Sequence, residues 1–256
     1  MRIAVAFNSK INLLGTAIDN VTMEEALQTI ERFIHEKNNR MVFTPTVDHL
    51  VKLKSDAEFR EAYERCDLVL PDGMPLLWAG IFLGTPFKQK VSGSDLFPLF
   101  CVLAARKGYR LFLLGSPPGV ASKASQILKA KSPGLQVVGT YSPPFDFEED
   151  ENENRKMVRM IRAAKPDILF VGLGAPKQEK WIAKYKNDYQ CPVSMGVGAS
   201  FDFVVDPRKR APRWMSHAGL EWFWRLLHEP RRLWKRYLIK DPIFFYWVLL
   251  QKLKRL

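Results

Sequence analysis

The chain has 256 residues, room for one large domain or a domain with an appendage, and its 47% hydrophobic content excludes wholesale disorder. The net charge of +12 is lopsided: Asp206 to Leu256 holds 13 Lys+Arg against 4 Asp+Glu, a net of +9, whereas the remainder holds 26 against 23, a net of +3. Cys66, Cys101 and Cys191 lie far apart with no CxxC pair, and His35, His49, His217 and His228 lack metal-ligand spacing, which argues against a disulfide framework or a zinc site and predicts a reducing compartment.

Met1 opens a strand-like Arg-Ile-Ala-Val-Ala-Phe, not a basic region followed by a long apolar stretch, so the sequence predicts no signal peptide and a cytoplasmic protein. Thr22 to Glu36 reads as a helix: Thr22 can cap it, Glu25 completes a capping box, and Met23, Ala26, Leu27, Ile30 and Ile34 share a face. Short runs bounded by Gly, Pro or Asp then predict buried strands at Met41–Phe43, Leu68–Leu70, Arg110–Leu114, Gln136–Gly139, Ile168–Gly172 and Val193–Val197. Between them come helices at Val47–Lys54, Ala57–Arg65, Ser94–Lys107, Gly119–Lys131, Glu151–Ala164 and Pro176–Lys186, with Ser142 to Glu153 a surface loop entering a helix. Such alternation predicts an α/β fold, a Rossmann-like parallel sheet with helices on both faces.

Composition changes near Asp206-Pro207, which divides the chain into an α/β domain, 1–205, and a basic helical appendage, 206–256. The appendage carries Trp214, Trp222, Trp224, Trp234 and Trp247, five of the seven tryptophans. Basic residues interleaved with Trp, Phe and Leu favour an anionic membrane surface over nucleic acid; the plainer alternative is a helical cap whose charges are simply solvated. Its longest apolar run, Ile243 to Leu250, has eight residues, and a bilayer span takes roughly 20. The appendage is therefore expected to lie on a membrane, not cross it, and its apolar surface leaves room for self-association.

In open α/β sheets, ligands gather at the carboxyl ends of the strands. Those ends read Thr44-Pro45-Thr46-Val47-Asp48-His49, Pro71-Asp72-Gly73-Met74-Pro75, Gly115-Ser116-Pro117-Pro118-Gly119, Gly172-Leu173-Gly174-Ala175-Pro176-Lys177-Gln178-Glu179 and Gly196-Val197-Gly198-Ala199-Ser200-Phe201-Asp202. Glycines here let the backbone approach a phosphorylated ligand, or simply serve tight turns. Both Gly-rich loops lack the third glycine of the dinucleotide fingerprint, and GxxxxGK[ST] is absent, so nicotinamide, flavin and P-loop chemistry are disfavoured. Asp72 is a candidate general base, since a short carboxylate at this point can face a cleft; the competing role is a cap for a helix starting near Met74.

The order T-P-x-x-D-H, L-P-D-G-x-P, G-S-P-P-G, G-L-G-A-P-K-Q-E, G-V-G-A-x-F-D, R-A-P-x-W and E-W-x-x-R-L-x-x-E-P-x-R resembles the WecG/TagA/CpsF family of bacterial glycosyltransferases, from about Leu14 to Tyr237. The nearest branch is TagA-like. The resemblance implies transfer of N-acetylmannosamine from its UDP-sugar to undecaprenyl-diphosphate N-acetylglucosamine, toward wall teichoic acid. It also implies Asp72 as catalytic base, Thr44 at the site floor, Gln178 as a pocket amide, and Arg225 and Arg232, with Lys235 or Arg236, closing over the pocket. Thr46, Asp48, Gly115, Gly174, Glu179 and Gly198 complete the expected substrate-binding set. Many family members have Asn where this chain has Thr46, which leaves the donor sugar open to N-acetylmannosaminuronic acid or glucose-type alternatives.

With no DxD triplet in the chain, a metal-independent inverting transfer is expected, with no cofactor and with arginines countering the charge on departing UDP. The expected partners are a UDP-sugar, a lipid-linked acceptor and the inner face of the membrane, with no nucleic acid. A rival from another class is a non-catalytic peripheral scaffold that binds nucleotide or lipid.

Overall fold

Six of the apolar runs become the strands of one sheet, and the segments between them cover it. The computed structural model describes residues 9–254, apart from the side chains of Arg213 and His217; the strand-like Met1–Phe7 lies outside the described residues. A hairpin of β1 (Lys10–Leu13) and β2 (Thr16–Asp19) precedes α1 (Met23–Glu36), β3 (Arg40–Phe43), α2 (Val47–Leu53), α3 (Ala57–Glu64), β4 (Leu68–Val69) and α4 (Met74–Leu83). Alternation continues with α5 (Gly93–Lys107), β5 (Arg110–Gly115), α6 (Val120–Lys131), β6 (Gln136–Tyr141), α7 (Glu151–Ala164), β7 (Ile168–Gly172), α8 (Lys177–Tyr189) and β8 (Val193–Gly196). Short helices complete the chain: α9 (Ser200–Val205), a 3₁₀ turn at Pro207–Lys209, α10 (Arg213–His217), α11 (Glu221–His228), α12 (Pro230–Trp234), a π-helical turn at Lys235–Lys240, and α13 (Ile243–Lys252).

The six-stranded sheet runs β4-β3-β8-β7-β5-β6, parallel throughout. Side chains alternate between two cores. Met41, Phe43, Leu114, Leu169 and Val171 face the core that includes Leu50, Phe59, Ile161 and Ile182 from α2, α3, α7 and α8. Val42, Leu111, Leu113, Ile168 and Phe170 face the core that includes Ile30, Phe97, Phe100 and Leu128 from α1, α5 and α6. From β5 the chain moves outward to β6, and from β7 it moves the opposite way to β8. Adjacent connections that diverge in this way leave a crevice beyond the carboxyl ends of β5 and β7.

The capping box forms as expected: Thr22 Oγ1 accepts from Glu25 N–H at 3.2 Å, and Glu25 Oε2 accepts from Thr22 N–H at 2.8 Å. Three elements differ from the sequence expectation. The β1–β2 hairpin was not anticipated; Asp19 at its end accepts the Val69 N–H at 2.8 Å, tying the hairpin to the two-residue edge strand β4. Helix α4, Met-Pro-Leu-Leu-Trp-Ala-Gly-Ile-Phe-Leu, starts at Met74 as expected, but it is apolar around its whole circumference, so no helical stripe marks its extent in sequence. Helix α9 has only six residues, too short for periodicity to register.

The segment after residue 205 folds back onto the α/β unit. Phe244 and Val248 of α13 are buried in the same core as Leu50 and Leu76. Gln251 accepts the Leu14 N–H and donates to the Asn12 carbonyl, both at 2.9 Å, joining α13 to the hairpin. Among the described residues no helix is long and apolar enough to cross a membrane.

The tightest backbone approach lies at the crevice. Gly115 has φ +114°, and a Cβ there would stand 2.5 Å from the Gly172 carbonyl oxygen, next to the 2.8 Å bond from Ser116 N–H to that oxygen. Gly115→Ala therefore combines backbone strain with a clash against main chain, and is expected to cost roughly 2–4 kcal/mol. Denaturant unfolding of the pair of proteins measures it; an unchanged midpoint would mean the crevice backbone is not held as described.

Candidate active site

Parallel strands point their carboxyl ends and the following helix N-termini at one edge, so this edge collects backbone N–H groups and short polar side chains. Here it holds a cavity of about 710 Å³, floored by Thr44, Gly172–Gly174 and Val197–Ser200 and walled by Ser116–Pro118, Pro143–Phe145 and Lys177. Arg225, Arg232 and Arg236 reach it from the C-terminal segment. A second cavity of about 550 Å³ adjoins it, lined mostly by apolar groups: Met74, Pro75 and Trp78 of α4, with Leu220, Trp222, Tyr237, Pro242 and Phe245. Thr46, Asp72, Glu221, Arg225 and Arg236 line both cavities, which makes them the partition between a polar chamber and an apolar one.

Asp72 follows β4 through Leu70 and Pro71, held by the Asp72 N–H bond to the Pro45 carbonyl at 3.1 Å. It does not cap α4. The residue at the cap position is Gly73, with φ +108° and no side-chain bond, and the Asp72 carboxylate instead accepts the Gly93 N–H at 3.3 Å. Thr44 is buried beneath, so close that a Cβ on Gly93 would lie 3.1 Å from its Oγ1. Burial and the nearby Glu221 carboxylate push Asp72 up to about 7, against the pull of Lys90 and the Gly93 N–H. A carboxylate that exchanges its proton near neutrality suits general base work.

Arg236 stands between two buried carboxylates. Its Nε is 3.5 Å from Asp48 Oδ1 and 3.6 Å from Asp241 Oδ2, and its Nη2 donates to Thr46 Oγ1 at 3.4 Å. Burial alone would raise Asp48, yet Arg236, Lys52 and His49 together hold it below its ordinary value. Asp241, also buried, is pushed up to about 6 despite Arg236, with Asp48 adding to the rise. Lys52 bonds Asp48 at 2.8 Å and the Ala175 carbonyl at 3.0 Å, linking this network to the Gly174 turn.

Behind the floor lies a second polar chain. Thr46 N–H donates to His49 Nδ1 at 3.2 Å, which leaves His49 Nε2 to carry the proton toward Glu179 Oε1 at 3.3 Å. Glu179 also accepts from Gln178 Nε2 at 2.7 Å, and Gln178 Oε1 accepts the Gly198 N–H at 3.1 Å. Lys177 reaches over the rim to the Phe145 carbonyl at 3.2 Å and lies 4.5 Å from the centre of that ring.

The sequence model of the Glycosyl transferase WecG/TagA/CpsF family matches residues 11–256. The chain belongs to that family. Among its relatives are proteins named N-acetylglucosaminyldiphosphoundecaprenol N-acetyl-beta-D-mannosaminyltransferase from Staphylococcus aureus strains MW2, NCTC 8325 / PS 47 and MRSA252. Each is 28% identical over 240 residues, covering 93% of this chain and 91% of the relative.

In this glycosyltransferase the polar cavity brings together Thr44, Thr46, Asp48, Asp72, Gly174, Gln178, Gly198, Arg225, Arg232 and Arg236 from the expected set. Gly115 and Glu179 do not line it. Gly115 is pressed against the Gly172 carbonyl, and Glu179 is fully buried behind Gln178 and His49, so both act on the backbone and side chains around the cavity. Gln178 reaches the cavity but spends its amide on Gly198 and Glu179, which makes it a support for the Gly198 loop. Of the alternatives Lys235 and Arg236, only Arg236 lines the cavities; Lys235 is exposed beside the Trp234 ring. Sequence reasoning missed Glu221, Lys90 and Asp241. Glu221 carried a usable signal, one helical turn before Arg225 in the E-W-x-x-R block; Lys90 carried none.

As a general base, Asp72 would link activity and stability with opposite signs. The unfolded chain releases this proton near 3.8 and the folded one near 7, so across that window the folded state binds more protons and stability falls as pH rises. Asp72→Asn is expected to remove at least 100-fold of kcat while raising unfolding stability above neutrality by at most roughly 4 kcal/mol. Wild-type turnover should rise with pH through about 7. Near-normal turnover by the Asn variant would remove Asp72 from the base role.

Proposed function

We propose that this protein transfers N-acetylmannosamine from a UDP-sugar to undecaprenyl-diphosphate N-acetylglucosamine at a membrane surface, inverting the anomeric centre. The observation that carries the reading is the meeting of a polar chamber and an apolar chamber at Asp72. A nucleotide sugar suits the polar side, where helix N-termini and glycine backbones accept phosphate, and a polyprenyl acceptor suits the Trp- and Phe-lined side. The relatives' names point to the same acceptor and the same transferred sugar.

In this mechanism the acceptor hydroxyl attacks the anomeric carbon as Asp72 takes its proton. The bond to the UDP oxygen breaks, and the diphosphate departs with the bonding electrons. Arg225 and Arg236, at the partition, are placed to meet that charge, with Arg232 at the polar chamber's edge. We infer a metal-independent reaction on this account. Docking on the inner face of the membrane draws on the exposed Trp222, Phe223, Leu227, Phe245 and Tyr246, interleaved with basic residues that favour anionic lipid. Trp78, Ile81 and Phe82 of α4 extend the exposed apolar surface onto the α/β unit.

Incubation with a panel of UDP-sugars and a short-chain lipid diphosphate tests the reading. Product from the N-acetylmannosamine donor alone is expected; product from a glucose-type or N-acetylmannosaminuronic acid donor would reassign the sugar, and UDP binding without product would favour the scaffold. EDTA should leave the rate intact, and abolition by chelator would overturn the metal-free route. Arg225→Ala should lower kcat about 100-fold or more with little change in vesicle sedimentation; parallel loss of both would make Arg225 a headgroup contact.

A further inference from the structure

The partition between the chambers contains a carboxylate that the reaction above does not use. Glu221 opens α11 on the C-terminal segment, whereas Asp72 belongs to the α/β unit, and both side chains line the two cavities together. Glu221 is pinned. Its Oε2 accepts from Ser216 Oγ at 3.1 Å, and Ser216 Oγ accepts from Lys90 Nζ at 3.1 Å, so a carboxylate–hydroxyl–ammonium chain spans from the C-terminal segment to the loop before α5. The turn that delivers Glu221 is fixed as well: a Cβ on Gly219 would lie 2.3 Å from the Trp78 ring, so the backbone lies directly on α4.

We propose that Glu221, carried by the C-terminal segment, is a positioning residue that faces Asp72 across the partition and keeps it ready to take the acceptor's proton. The two carboxylates divide their roles by environment. Glu221 lies in the first turn of a helix, where the exposed N–H groups favour a negative charge, and it accepts a hydroxyl hydrogen bond. Asp72 has one long backbone bond and no cationic partner within salt-bridge distance among the described residues. A carboxylate facing Asp72 across the partition disfavours a second negative charge there, so Asp72 keeps affinity for a proton.

The other charged groups around Asp72 do not cancel this effect. Lys90 opposes it but is shared with Ser216 and with Asp95 at 3.6 Å. Asp95 adds to it weakly and is itself paired with Arg210. Arg225 lies one turn beyond Glu221, and Arg236 is held by Asp48 and Asp241. Helix α11 thus carries the tuning carboxylate and, four residues on, a cation for the leaving group. The proposal rests on the transfer reaction above for its purpose, but its physical content is the titration of one carboxyl group.

That titration is read directly by carboxyl ¹³C resonances of the full-length protein labelled at aspartate, with the Asp72 signal identified by its loss in Asp72→Asn. Glu221→Gln keeps an oxygen acceptor for Ser216 and removes the charge; the Asp72 midpoint should fall by roughly half a pH unit or more. Lys90→Met should move it upward, and Glu221→Asp should return it toward wild type. An Asp72 midpoint unmoved by Glu221→Gln would overturn the proposal, as would a wild-type midpoint in the ordinary carboxylate range. The acid limb of kcat/KM should shift in the same direction as each midpoint. Absence of turnover in wild type would overturn the transfer reaction alone, because the resonance titration needs no substrate.

Discussion

The site depends on how one arginine is held between two buried acids. Arg236 lies in the π-helical turn of the C-terminal segment, with Asp48 of α2 on one side and Asp241 ahead of α13 on the other. Asp48 is buried and otherwise has Lys52 at 2.8 Å, whereas Asp241 has an enclosed Oδ1 with no hydrogen-bond partner in the described structure. Losing the arginine would leave Asp48 with Lys52 alone and Asp241 with no cation at salt-bridge distance among the described residues, and removing one partner of a buried ion pair is the costly change. The same contact fixes the register of the C-terminal segment over the sheet edge. A wide turn is a common accommodation where a side chain must be re-aimed at a functional site.

From that anchor the rest of the arrangement follows. A parallel sheet builds its ligand edge from loops and helix starts, which supply N–H groups and small polar side chains but few cations. In this protein the α/β unit adds Lys52 and Lys177, and the arginines come from elsewhere. Arg225, Arg232 and Arg236 all arrive from the region after residue 205, where the charge surplus is concentrated. The α/β unit supplies the floor, the candidate base and one wall of Trp78 and Met74; the C-terminal segment supplies the opposing wall, the arginines and most of the exposed aromatic surface. Neither part makes the partition at Asp72 alone.

The sequence carried the sheet well, because buried parallel strands are short continuous runs of Val, Ile, Leu and Phe with sharp borders. It carried the polar cavity through the loops at the strand ends, since Asp72, Thr44 and the glycine turns adjoin strands whose positions are readable. It marked only the start of α4, near Met74, because a helix apolar on every side has no periodicity to show its extent, and α4 forms a wall of the apolar chamber. It misread Gly115 and Glu179 as ligand-facing, because proximity in a motif does not reveal which way a side chain turns: one is pressed on main chain and the other points back to His49. Glu221 and Lys90 were hidden for a different reason. Their meeting at Asp72 depends on the C-terminal segment crossing the sheet edge, a long-range contact that no local pattern encodes.

The tolerance of Asp72 for its position explains why the base and the closing segment belong together. A carboxylate enclosed near a like charge is destabilising when ionised and far less so when protonated, and a midpoint of about 7 keeps both forms accessible at neutral pH. A surface aspartate would be ionised throughout but a feeble base; one buried without Glu221 would lack the neighbouring charge that adds to its proton affinity. On the proposed role of Asp72, the fold sets the strength of the base first through burial and then through the Glu221 charge that the C-terminal segment brings. The surface that would bring the enzyme to a lipid-linked acceptor is carried largely by that same segment, so acceptor access and base strength answer to one structural element.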